Sequence, residues 1–163
     1  EHLTLTEILE LFGSFYRRSL PARQLLETVE LVDKASTTLS KLSGGQKQRF
    51  TIAASLVNDP DVVFLDEPTT GLDPQARRGL WDFIQEIHRQ GKSIVLTTHY
   101  MEEAEELCDR VAIMDHGRIS ALDRPEALVD ALLSKGFRKE RTEKLAHLED
   151  VFLDLTGRAL RDE

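Results

Sequence analysis

The spacing of apolar residues changes character several times along the chain. In EHLTLTEILELF, residues 1–12, Ile8, Leu9, Leu11 and Phe12 recur at helical intervals, and Thr4 with Glu7 has the form of a capping box. A helix is predicted over 4–17. A second is predicted over 22–32, with Pro21 at its start, and residues 33–42 read as a polar connector. From 43 to 57, Phe50, Ala53, Ala54 and Val57 keep the i, i+3, i+4, i+7 pattern of a helix with one buried face. Asn58-Asp59-Pro60 stops it, because the residue before a proline is pushed out of the helical region. DVVFLDEP, 61–68, is a short continuous apolar run ended by two acids, the pattern of a strand buried on both faces.

Beyond it, Asp73 is a natural N-cap, Pro74 suits the first helical position and Gly91 can end the helix that runs between them. On that helix Leu80, Trp81, Ile84 and Ile87 read as core. SIVLTTH, 93–99, reads as a second buried strand and MEEAEELCD as a short acidic helix. Residues 110–123 read as two strands around a turn at His116-Gly117, 124–134 as a helix, KGFRKERTEK as a solvated connector, and LEDVFLDLTGRAL as a last amphipathic helix. Strand, helix, strand, helix, strand between 61 and 115 implies an α/β fold with a parallel sheet.

The 163 residues are enough for one domain with a real core. A net charge of -8 argues against a nucleic-acid binder, and no apolar run approaches the ~18 residues of a membrane span. Cys108 is the single cysteine, so no disulfide can form within the chain, which fits a cytosolic compartment. His2, His88, His116 and His147 lack any strand-end setting and are read as exposed or locally bonded.

Two stretches carry candidate chemistry. In LSGGQ, Ser43 precedes two glycines at a helix start. Without Cβ atoms, Gly44 and Gly45 let backbone N–H groups and the positive end of the helix dipole approach a phosphate. Gln46 is also placed to close a capping box with Ser43. In LDEP, Asp66 and Glu67 end a strand where parallel sheets place their ligands. Asp66 suits Mg²⁺ held through water, and Glu67 can orient or deprotonate a water. A phosphate site of this kind also needs a G-x-x-x-x-G-K-[ST] loop. Gly91-Lys92-Ser93 is the one near match, but Glu86 stands where the pattern needs glycine, and the tripeptide leaves a helix rather than entering one. It is read as a helix C-cap.

LSGGQ, then VVFLDE, then Gly71-Leu72-Asp73, then a strand ending in TTH, resembles the ATP-binding cassette family, the ATPase subunits of ABC transporters, in order and spacing as well as letters. The resemblance implies a P-loop NTPase-like parallel sheet with flanking helices and a partial helical subdomain. It divides the chain into the remainder of that subdomain (1–42), the C-terminal part of the ATPase core (43–123) and a helical tail (124–163). The family's Walker A strand and loop, Q-loop glutamine and adenine-stacking aromatic lie upstream of the segment resembling EHLTLTEIL. The chain, opening at Glu1 directly into a helix, thus reads as N-terminally truncated in mid-domain. In the family the Walker A strand lies between the strand ending at His99 and the strand Val111–Asp115.

For individual residues, the resemblance makes Ser43, Gly44, Gly45 and Gln46 the contacts to the γ-phosphate of ATP held by a second ATPase subunit in a head-to-tail dimer. Asp66 becomes the Mg²⁺ carboxylate, Glu67 the residue that orients the attacking water, His99 the γ-phosphate contact, and Asp73 a residue of the dimer seam. The implied cofactors are ATP and Mg²⁺. The implied partners are that second subunit and an integral-membrane permease, with no nucleic acid, on the cytoplasmic face of the plasma membrane. HLEDVFLDLTGRALRDE and the stretch from Leu96 to Leu128 resemble ATPase subunits of ABC-2 type exporters, the group that includes drug- and antibiotic-resistance pumps. An importer ATPase, and a non-catalytic remnant that contributes only signature contacts, stand as alternatives. A chromosome-maintenance ATPase is disfavoured by the acidic charge and the lack of long heptads.

Overall fold

The computed structural model describes residues 2–137 together with Val151, Asp154 and Leu155. The chain divides into two compact units, one up to Thr97 and one from Thr98 on.

The first unit opens with α1, Leu5–Gly13. Its predicted capping box is present: Glu7 N–H donates to Thr4 Oγ1 at 3.3 Å, and Thr4 N–H donates to the Glu7 carboxylate at 2.8 Å. The helix ends at Gly13, four residues before the predicted end at 17, because the chain doubles back on it. A Cβ at Gly13 would lie 3.0 Å from Ser19 Oγ. The second helix, α2 (Ala22–Thr28), is also shorter than predicted. Glu30 turns left-handed at φ 55 and Leu31 N–H returns to the Leu26 carbonyl at 2.8 Å, which closes the helix end. The connector holds two short 3₁₀ turns, Val32–Lys34 and Leu39–Lys41, and Thr38 bridges back to Thr4.

Helix α3, Gly44–Ser55, buries Phe50, Ile52 and Ala53, with Leu56 and Val57 buried just beyond it. It stops short of Pro60, and Asp59 takes φ 51. Strand β1, Val62–Asp66, pairs in parallel with β2, Ser93–Thr97. The connection between them is α4, Pro74–Arg89, which buries Leu80, Trp81, Ile84 and Ile87 as predicted, and Phe83 besides. The expectation that both faces of β1 are buried does not hold. Val63 and Leu65 are buried on one face, while Val62 and Phe64 point the other way and Phe64 is 75% exposed. Val95 of β2 is exposed too, so among the described residues of this unit nothing covers that second face.

Gly91 ends α4 at φ 92, the left-handed conformation that its C-cap reading requires. Lys92, the only lysine of the near-match tripeptide, is ion-paired with Asp59 at 2.5 Å and donates to the Pro60 carbonyl at 2.9 Å. It ties the entry of β2 to the entry of β1.

In the second unit, α5 (Met101–Leu107) precedes β3 (Val111–Asp115) and β4 (Arg118–Asp123), which pair antiparallel, and α6 (Pro125–Ser134) follows. The predicted turn is there, with His116 at φ 45 and Gly117 at φ 74, the two positive values of the two-residue hairpin turn that matches strand twist. This local closure pairs β3 with β4. Among the described residues β1–β2 and β3–β4 are separate two-stranded sheets, in keeping with the expectation that β3 is not the direct neighbour of the strand leading to His99. Ala104, Ile113, Leu128, Leu132 and Val151 form the core of this unit. Val151, Asp154 and Leu155 are helical, as predicted for LEDVFLDLTGRAL; the rest of that helix and the connector 138–144 lie outside the described residues. Burial, with the carboxylates of Glu103 and Asp109, pushes the Cys108 thiol up to about 11. Among the described residues no helix is long and apolar enough to cross a membrane.

Candidate phosphate and metal site

All the predicted site residues but His99 gather in two places in the first unit. One is the start of α3. Ser43 is its N-cap: Gln46 N–H donates to Ser43 Oγ at 3.3 Å, and Ser43 N–H donates to Gln46 Oε1 at 3.0 Å. The capping box open to Gln46 on sequence grounds is formed. Next to it lies the start of α4, where Asp73 Oδ1 accepts from Gln75 N–H at 3.0 Å and Ala76 N–H at 2.9 Å. The two helix starts meet at the glycines. A Cβ on Gly45 would come within 3.3 Å of Ala76 Cβ, whereas one on Gly44 would find only Leu72 Cδ2 at 3.9 Å. Gly45 is thus small for packing, and Gly44 keeps an open side.

The other place is the carboxyl end of β1. Asp66 stands opposite Thr97 in the β1–β2 register, and Thr97 Oγ1 donates to Asp66 Oδ1. The next residue, Glu67, leaves the strand at φ 43, a left-handed conformation that costs a residue with a Cβ on the order of 1–2 kcal/mol. Its N–H donates to Thr97, to the carbonyl at 3.0 Å and to Oγ1 at 3.2 Å. Its carboxylate accepts from Thr70 Oγ1 at 3.1 Å. Glu30 and Asp59 share this left-handed conformation where helices end; Glu67 differs in standing at the carboxyl end of a parallel strand, where such sheets place ligands. Thr70 and Thr97 went unread in the sequence. The available signal was a threonine ending the neighbouring strand, but it has meaning only once the register is known.

His99 belongs to the second unit, where its ring lies 4.1 Å from that of Tyr100.

The donor set fits Mg²⁺ better than a softer metal. The described residues contain no group of three His, Cys, Asp or Glu side chains able to hold an ion. At the end of β1 the exposed carboxylate of Asp66 suits a cation that keeps most of its waters and takes further oxygens from phosphate.

A family model described as "AAA domain, putative AbiEii toxin, Type IV TA system" matches residues 5–103. Among curated proteins, the chain is 37% identical to a Nod factor export ATP-binding protein I of Paraburkholderia xenovorans, over 98% of this chain and 69% of the relative. It is 47% identical to the protein of the same name from Burkholderia lata, over 78% of this chain and 44% of the relative. Among solved structures, the ATP-binding subunit of an ABC transporter superposes with a TM-score of 0.71 at 30% identity, covering 95% of this chain and 63% of that one. The ADP conformation of another ATP-binding cassette has a TM-score of 0.69 at 24% identity, over 82% and 59%, a likeness of fold. The chain belongs to the ATP-binding cassette ATPases, and the AAA-type match agrees. It spans less than half the length of the first curated relatives it matches, 44% and 41%.

Proposed function

We propose that this chain carries the family signature, Leu42–Gln46, and the Walker B motif, Val62–Glu67, of an ATPase subunit that drives export through a separate membrane permease. The observation that carries it is the end of β1, where an acid is held left-handed beside a second acid at the ligand-binding edge of a parallel sheet. Export is favoured over import by the relatives, which are named for export.

In this reading ATP and Mg²⁺ supply the phosphoryl group and its charge neutralisation. Asp66 holds the ion through water. Glu67, fixed in backbone and carboxylate, orients the attacking water and accepts its proton. Ser43, Gly44, Gly45 and Gln46 present the N–H groups of the α3 start to the γ-phosphate of ATP bound by a second ATPase subunit, head to tail. Gly44, with room beside it, is where that approach is closest. Asp73 lies at the dimer seam and His99 contacts the γ-phosphate. The subunit acts on the cytoplasmic face of the membrane, bound to its permease.

The test is Glu67→Gln in the intact ATPase. Hydrolysis should fall by a factor on the order of 10² or more while ATP still binds, as expected when the residue that positions water is lost. Unchanged turnover would remove Glu67 from the chemistry.

A further inference from the structure

We infer that Thr97 is a positioning residue for both acids, a proposal that rests on the roles given above to Asp66 and Glu67. One side chain meets two demands. Its hydroxyl hydrogen goes to Asp66 Oδ1, which fixes the rotation of that carboxylate and leaves Oδ2 for a metal-bound water. The hydroxyl oxygen and the Thr97 carbonyl both receive the Glu67 N–H, at 3.2 and 3.0 Å. That shared bond holds Glu67 at φ 43, so the direction in which its side chain leaves the strand depends on the residue at 97. A hydroxyl can donate once and still accept, so serine or threonine can do this and an apolar residue cannot. Thr97 is exposed at the strand end, so packing does not demand its methyl group.

Packing and positioning roles predict opposite orders for two substitutions. Thr97→Val keeps the shape and β-branching and loses the hydroxyl; Thr97→Ser keeps the hydroxyl and loses the methyl. If Thr97 positions the acids, Thr97→Val in the intact ATPase lowers kcat about tenfold, the lower end of what losing a partner of a metal ligand does. ATP affinity without metal should stay within about twofold, since Thr97 is assigned no contact to the nucleotide. Thr97→Ser should keep near-normal turnover. The second readout is binding of Mn²⁺, followed by electron paramagnetic resonance with a non-hydrolysed ATP analogue present. Its dissociation constant should rise several-fold in Thr97→Val and stay near the parent value in Thr97→Ser. Parent-like rate and Mn²⁺ affinity in Thr97→Val, or a larger defect in Thr97→Ser than in Thr97→Val, overturns the proposal. Glu67→Gln run in parallel separates the two levels. Full turnover there sinks the underlying site, whereas a dead Glu67→Gln beside a normal Thr97→Val sinks Thr97 alone.

Discussion

At the start of α3, Ser43 and Gln46 satisfy each other within one helical turn; at the end of β1, Asp66 and Glu67 are held by a threonine on another strand. The first arrangement is relaxed, with a preferred cap residue, a reciprocal bond and glycines at the first two helical positions. The second is strained and depends on the sheet. Both are assigned to one phosphate chemistry, and the difference separates what each must do. A helix start that meets a phosphate from outside can be built and stabilised locally. An acid that must point at one water has to be held against its own backbone preference.

That contrast can be broken by experiment. After the loss of turnover in Glu67→Gln, the next largest effect belongs to Gly44→Asp. An acid at the first position of α3 favours the helix dipole and meets no clash, so thermal stability should be unchanged or slightly higher. Yet it sets a negative charge against the partner's phosphate. ATP-driven dimerisation, followed by light scattering, should weaken at least about tenfold, since facing like charges across an interface costs several kcal/mol. An undiminished dimer would detach the α3 start from phosphate altogether.

Gly45→Ala tests whether the second glycine is there for packing. Alanine in a helix gains up to about 1 kcal/mol over glycine, but overpacking typically costs 1–3 kcal/mol. Ala76 Cβ, 3.3 Å away, is fixed to the first turn of α4 and cannot swing aside. Gly45→Ala should therefore destabilise by about 1 kcal/mol in thermal unfolding, while Gly44→Ala stabilises, because only the propensity gain acts there. Equal shifts at the two positions would refute the packing difference.

The smallest effect concerns the strain itself. Glu67→Gly relieves the left-handed penalty and should raise stability by about 1 kcal/mol while abolishing turnover. A lower melting temperature would mean that the Thr70 bond to Glu67 outweighs the backbone cost.

The caps were legible because they are local. Thr4 with Glu7, Ser43 with Gln46, Asp73 with Pro74, and His116-Gly117 each name their own geometry within a few residues, and each is found where predicted. The acids at 66 and 67 were legible as a motif, but their conformation was not, since nothing near Glu67 announces φ 43 and its anchor lies across a parallel register. Phe64 was misread for a related reason. A continuous apolar run states that both faces avoid water, not which neighbours cover them, and here one face is open. Glu103, fully buried at the start of the acidic α5, shows the converse limit, because charge in the sequence does not guarantee exposure.

The parallel pairing of β1 with β2 also has a kinetic consequence. The β3–β4 hairpin closes over two residues and can form in microseconds from its own turn. Val62 meets Ser93 only after all of α4 has been laid down and folded back, so loop-closure entropy opposes that contact until late. Thr97 reaches Asp66 and Glu67 only in that last step. During synthesis and refolding, the acid pair is thus an ordinary solvated dipeptide until the crossover docks, and a partly folded chain has the capped start of α3 before it has Glu67 in its held conformation.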